Sequence, residues 1–146
     1  FNRWLKERME LGDLHRLLRG DIAKKTDTGG LFEVEDEIVD TGRLARREVV
    51  PTGPLLGGRV RWASGIPGDR ERALLVTTKV GEDQLRRNRL NGDRRRALIW
   101  PGALVVSRPE SDQLVFEFSL PKGSYATTVL REFMKSSSTS SSLDDR

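Results

Sequence analysis

Residues 84–96 hold six arginines (Arg86, Arg87, Arg89, Arg94, Arg95 and Arg96) against a single acid, Asp93. A guanidinium offers paired N–H donors to a phosphate and a flat face to a base, so arginine at this density suits an anionic partner with exposed bases. The chain's formal net charge is only +4; this stretch alone carries +5, and the remainder sums to −1. Arginine also outnumbers lysine 20 to 6. Charge that is local rather than spread implies a local anionic partner. The plainer alternative is a solvated helical face.

A second group with chemical reach is Lys122-Gly123-Ser124-Tyr125. It follows an alternating apolar run and precedes a helical one. Backbone N–H groups at the start of a helix bind phosphate or carboxylate. Lys122 adds charge, and Ser124 and Tyr125 add hydroxyls. This is the best local candidate for an anion or nucleotide contact, the alternative being a simple junction capped by Ser124.

Other chemistries fare worse. The chain has no Cys and one His, which excludes disulfides, thiolate metal sites, Cys nucleophiles and His-rich metal sites. His15 reads as structural or solvent-exposed rather than as a general base, so nucleophilic catalysis of the Ser–His type is not expected. Glu33, Glu35, Asp36 and Glu37 would need a convergent partner to bind metal or move protons; a charged edge strand accounts for them better. Arg59-x-Arg61-Trp62 either stacks on RNA or packs its loop onto the domain. Residues 51–58, rich in Gly and Pro, lack the Lys-Ser/Thr of a phosphate-binding P-loop and read as an ordered connection.

The elements that must position these groups follow from periodicity. Phe1, Trp4, Leu5 and Met9 mark an amphipathic helix closed by Gly12, with Leu14, Leu17 and Leu18 continuing it through a short turn. Residues 21–35 form a hairpin around Asp27-Thr28-Gly29-Gly30. Residues 36–47 are either a short helix or a loop. Residues 49–67 hold so many Pro and Gly that no regular element is expected. Asp69 is expected to cap a helix over 70–79, and residues 82–90 a second one. Ala97-Leu98-Ile99-Trp100 and Leu104-Val105-Val106 read as short strands. Residues 113–120 alternate strictly, with Leu114, Phe116, Phe118 and Leu120 on a buried face. Ser124 then caps a helix whose apolar stripe is Ala126, Val129, Leu130, Phe133 and Met134. The Ser-rich tail, residues 136–146, is expected to be disordered. The fold class is α+β, with mainly antiparallel strands and packed helices.

The bulk properties agree with one ordinary domain or a domain and a fragment. The mass is 16.5 kDa, hydrophobic residues are 36%, and mean hydropathy is −0.54. No apolar run approaches the roughly 18–20 residues a membrane-spanning helix needs. No signal peptide is visible, so a cytoplasmic protein is expected. The chain opens Phe1-Asn2-Arg3-Trp4 without an initiator Met, as a piece of a longer chain would.

The stretch from Leu120-Pro121-Lys122-Gly123-Ser124-Tyr125-Ala126-Thr127-Thr128-Val129 to Leu130-Arg131-Glu132-Phe133 resembles the C-terminal signature of the TruD family of tRNA pseudouridine synthases. Phe1-Asn2-Arg3 resembles the start of a helix near the opening of that family's inserted domain. Gly20-Asp21-Ile22-Ala23 fits its Gly-Asp segment. Pro51-Thr52-Gly53-Pro54-Leu55-Leu56-Gly57 resembles its Pro-Thr-Gly-Pro loop, with Leu56 where Pro is common. Arg95-Arg96-Ala97-Leu98 resembles its double-Arg lead into a strand. The resemblance implies a cofactor-independent isomerase that converts a particular uridine of tRNA, by family uridine-13, to pseudouridine. It implies that residues 1–89 are mostly the insertion and residues 90–135 the C-terminal return to a partial catalytic domain. The family's catalytic Asp sits in a Gly-x-Lys-Asp motif upstream of the matched portion. This chain has no such motif, so it is expected to be inactive alone. By resemblance Lys122, Gly123, Ser124, Tyr125, Arg95 and Arg96 lie near the RNA cleft, and Arg131 is structural. Arg86, Arg87 and Arg89 are expected to grip phosphates. A non-catalytic RNA-binding module of the same fold is the alternative, and a structural domain whose charges only solubilise it is a third.

Overall fold

A computed structural model describes residues 1–78, 81–87 and 91–134. The chain divides between Leu98 and Ile99 into two units. The first opens with α1 (Asn2–Glu10), which ends before Gly12 in a left-handed conformation, followed by a short 3-10 turn at Asp13–His15. The expected hairpin forms as β1 (Ile22–Lys25) and β2 (Leu31–Glu33), paired antiparallel with Ala23 opposite Phe32. Then come α2 (Glu37–Ala45), β3 (Val49–Leu55), α3 (Gly65–Thr78), α4 (Glu82–Arg87) and β4 (Asp93–Arg96). The sheet order is β2-β1-β3-β4, which places the acidic β2 at an edge.

The segment left open between helix and loop is a helix because Asp36 caps it. Its carboxylate accepts the Ile38 and Val39 N–H groups at 2.9 and 3.0 Å. Asp36→Ala removes both bonds and should lower stability by about 1 kcal/mol, read as a shift of the urea midpoint with unchanged slope. The other clustered acids are also occupied structurally. Glu37 accepts the Arg19 N–H and pairs with Arg16, and these contacts hold its carboxyl below the usual range. Glu33 accepts the Ser64 hydroxyl.

Three expectations about the middle of the chain are corrected. Residues 49–67 are not irregular throughout, because Val49–Leu55 is a strand buried except at its last residue. β3 tolerates Pro51 and Pro54 because it changes partners midway. Val49 to Pro51 pair with β1, and Thr52 to Leu55 pair with β4 on the other side. Each half therefore has one flank without a strand partner, so a missing N–H costs at most the terminal bond of a ladder. Gly53 is fixed by packing: a Cβ there would lie 2.3 Å from the Trp4 indole. The following helix begins at Gly65, not after an Asp69 cap, with Pro67 in its first turn where proline needs no N–H partner. Ala97-Leu98-Ile99-Trp100 is not a strand; the strand is Asp93–Arg96. Ala97 N–H donates to Pro51 O at 2.9 Å, but Pro51 has no N–H to return, so the ladder stops there.

The core of this unit gathers Trp4, Leu17, Ile22, Val34, Leu44, Val49 and Val50. Met9, expected on the apolar face of α1, is exposed, while Arg8 is buried. The Arg8 guanidinium makes bonds of 2.8 and 2.7 Å to the two oxygens of Asp21 and a third of 2.9 Å to Asp13 O. It also lies 5.5 Å from the Trp4 ring.

The second unit pairs β5 (Gly102–Ser107) with β6 (Val115–Ser119) antiparallel, followed by α5 (Ala126–Phe133). Phe116 and Phe133 stack with centroids 4.9 Å apart. None of residues 99–134 is buried, so the expected buried face of the alternating strand is at best half-covered. Leu104, Val105, Val106, Leu114 and Met134 are exposed. A two-stranded ribbon of this kind is marginal by itself.

Candidate nucleic-acid interface

The period of two in β4 sorts its arginines. Arg94 faces inward and is nearly inaccessible. Its Nη2 and Nη1 reach Glu71 of α3 at 2.7 and 2.8 Å, Nε reaches the Thr52 hydroxyl at 3.0 Å, and Thr52 O and Arg61 O accept the rest. Glu71 is fully buried and also accepts the Ala63 N–H. One of the six arginines in residues 84–96 is thus consumed inside the fold, and the surface excess is smaller than the sequence total. Arg95 projects from the opposite side of the strand. It is exposed, with its guanidinium 5.1 Å from the Phe1 ring centroid. Arg96 is half-buried on the Arg94 side. Neither Arg95 nor Arg96 has an ion pair among the described residues, and the two present to different sides of the sheet.

Where α1 begins against the end of β3, a cavity of about 430 Å³ is lined by Phe1, Arg3, Leu55, Leu56, Leu74 and Arg95, with no acid in its wall. Sequence reasoning did not find it. Arg95 and Phe1 are far apart in the chain, and Leu74 reads only as part of a helix. Arg87 is exposed on α4. Arg89, the side chain of Arg86 and the Ser-rich tail lie outside the described residues. His15 is exposed. Arg61 donates to Leu31 O and Arg59 N–H to Asn91 O, which favours packing over stacking for that loop. Among the described residues no three His, Asp or Glu come together to hold a metal ion.

In the second unit, residues 121–124 form a tight turn closed by Ser124 N–H to Pro121 O at 3.1 Å, with Gly123 at φ 87°. Only a residue without Cβ adopts that conformation without strain. Ser124 is not the cap expected: Tyr125 occupies the cap position without a side-chain bond. Lys122 and Tyr125 are exposed and Ser124 half-buried, at the end of the helix where N–H groups lack intrahelical partners. Arg131 is exposed in the same helix.

Comparison with known proteins defines the class. The family model described as tRNA pseudouridine synthase D (TruD) matches residues 1–133. The chain belongs to the TruD family. It is 43% identical over 137 residues to a protein of Anaeromyxobacter sp. (strain Fw109-5) named tRNA pseudouridine synthase D, covering 92% of this chain and 39% of that protein. A Thermus thermophilus protein of the same name is 39% identical over 135 residues, with 92% of this chain and 37% of that one covered. A crystal structure assigned to tRNA pseudouridine synthase D of Methanosarcina mazei superposes with a TM-score of 0.71 at 33% identity, over 92% of this chain and 35% of that one. The chain therefore spans less than two fifths of the length of these relatives.

Proposed function

We propose that this chain is the insertion and C-terminal portion of a tRNA pseudouridine synthase. The single observation carrying this is the family match, which spans residues 1–133 and so takes in the Lys122–Tyr125 turn. In this reading residues 1–89 are mostly the insertion, and the chain from about residue 90 returns to the catalytic domain. The lack of any buried residue in 99–134 supports a second unit whose apolar face is completed by the rest of that domain. The reaction cleaves the glycosidic C–N bond of one tRNA uridine, turns the base, and joins it through carbon. By family this is uridine-13, in the cytoplasm. The carboxylate that drives it is supplied by the part of the family's length that this chain does not span. Arg95, Arg96 and Arg87, with Arg86 and Arg89, hold phosphates. Lys122, Gly123, Ser124 and Tyr125 border the cleft that receives the extruded uridine. No described helix is long and apolar enough to cross a membrane.

The test is tRNA binding followed against salt. Neutralising Arg86, Arg87 and Arg89 together should weaken binding and flatten the log–log salt dependence by about 2–3. An unchanged affinity and slope would remove these side chains from the interface. Pseudouridine formation, detected in tRNA by carbodiimide labelling, should require this chain joined to the rest of the family's length. Binding without modification by such a joined protein would favour the non-catalytic module.

A further inference from the structure

We infer that Asn91 is a deamidation site that the fold holds shut: the Asn91–Gly92 peptide is clamped against Gly57, and the side-chain amide becomes a carboxylate when that clamp opens. Of the chain's three asparagines, only Asn91 precedes a glycine. A successor without a side chain lets its backbone N reach the amide carbon. The peptide bond itself is held on two sides. A Cβ on Gly57 would overlap Gly92 N, Gly92 Cα and Asn91 C, so two backbones cross in contact here, as facing glycines allow. Asn91 O accepts the Arg59 N–H at 2.9 Å, and Gly92 sits at φ 74°. Every contact in the clamp is between residues 55–59 and residues 91–92.

In the reaction Gly92 N gives its proton to water and attacks Asn91 Cγ. A C–N bond forms, the side-chain nitrogen leaves as ammonia, and a cyclic imide results. Water then opens the imide at either carbonyl, leaving aspartate or isoaspartate, with no change of oxidation state. Ring closure turns the peptide about the Asn91 Cα–C bond, which pulls it off Gly57 and off the Arg59 N–H. Local opening of the clamp therefore sets the rate. The product cancels one of the five net positive charges of residues 84–96, and isoaspartate also lengthens the backbone just before β4. This last consequence rests on the RNA-binding reading above: the converted chain holds tRNA less firmly.

The unaltered chain is incubated in mildly alkaline buffer, with and without urea. Conversion at each asparagine is followed by peptide mass mapping. Asn91 should convert ahead of Asn2 and Asn88, and at least about tenfold more slowly in the native chain than in urea. Gly57→Ala pushes the peptide out of place and should bring the native rate close to the rate in urea, its urea midpoint showing that it still folds. Should that variant not fold, the comparison on the unaltered chain decides alone. Equal rates in buffer and urea would overturn the inference. So would a folded Gly57→Ala chain reacting at the parent rate, or conversion in urea that spares Asn91. Filter binding then compares tRNA affinity of the parent with that of Asn91→Asp, which should bind more weakly and with a salt slope smaller by about 1. An unchanged affinity and slope, with conversion still governed by Gly57, would sink the RNA reading of this stretch and leave the site standing. A weakened Asn91→Asp chain whose parent converts equally fast in buffer and urea would sink the clamp and spare the RNA reading.

Discussion

Glu71→Ala should lower the unfolding free energy by about 3–5 kcal/mol, a large share of the roughly 5–15 kcal/mol that holds an ordinary domain folded. Arg94 and Glu71 are 3% and 0% exposed, so neither charge is solvated when its partner is lost. The pair is saturated: Glu71 takes three donors, and Arg94 reaches five acceptor oxygens, one of which also accepts the Ala63 N–H. Removing the carboxylate strands a guanidinium and also frees the Ala63 N–H. Replacing both residues by Met should cost much less than the sum of the single changes, because no charge is left behind. Urea titration decides this. A Glu71→Ala protein within about 1 kcal/mol of the parent would mean water reaches the pair.

Trp4→Ala should cost about 3–5 kcal/mol. The indole is buried, lies against Phe1 with centroids 5.7 Å apart, faces the Arg8 guanidinium and closes over Gly53. The contact with Gly53 makes the expectation sharper than a simple truncation. In the parent, Gly53→Ala forces a methyl into the indole and should cost about 1–3 kcal/mol. In the Trp4→Ala background that methyl enters vacated space, so the same substitution should be nearly neutral. A cycle in which the two effects simply add would mean the indole does not rest on this strand.

Much of the fold was legible because its signals are local. The amphipathic start, the hairpin around Asp27-Thr28-Gly29-Gly30 and the helix after Tyr125 follow from periodicity and turn chemistry within short windows. What was misread depended on partners distant in sequence. Pro51 and Pro54 argue against a strand unless each half of β3 pairs on one side only, and no window of sequence shows that. Arg8 breaks the apolar stripe of α1 because its anionic partner, Asp21, arrives from the next segment. The arginine stretch is plain in the sequence, but which way each side chain faces is not. Alternation along β4 decides which side each arginine takes, and Glu71, on another element, decides which of them is consumed. The Lys122–Tyr125 turn was legible from Gly123, whereas the cavity at Arg95 joins four stretches of chain and had no sequence signal.

Pro51 has a consequence for dissecting the molecule. Because it cannot answer Ala97, the last backbone bond of the first unit's sheet is single, and the division between the units falls directly after, at Leu98. The place to sever the chain for separate expression is thus set by an imino acid in the middle of the opposing strand. Cutting after residue 89, the boundary that the family resemblance implies, would instead pull out β4 and leave Glu71 buried without Arg94. A boundary chosen after Leu98 keeps the ion pair whole and leaves only the hairpin and its helix to find their own cover.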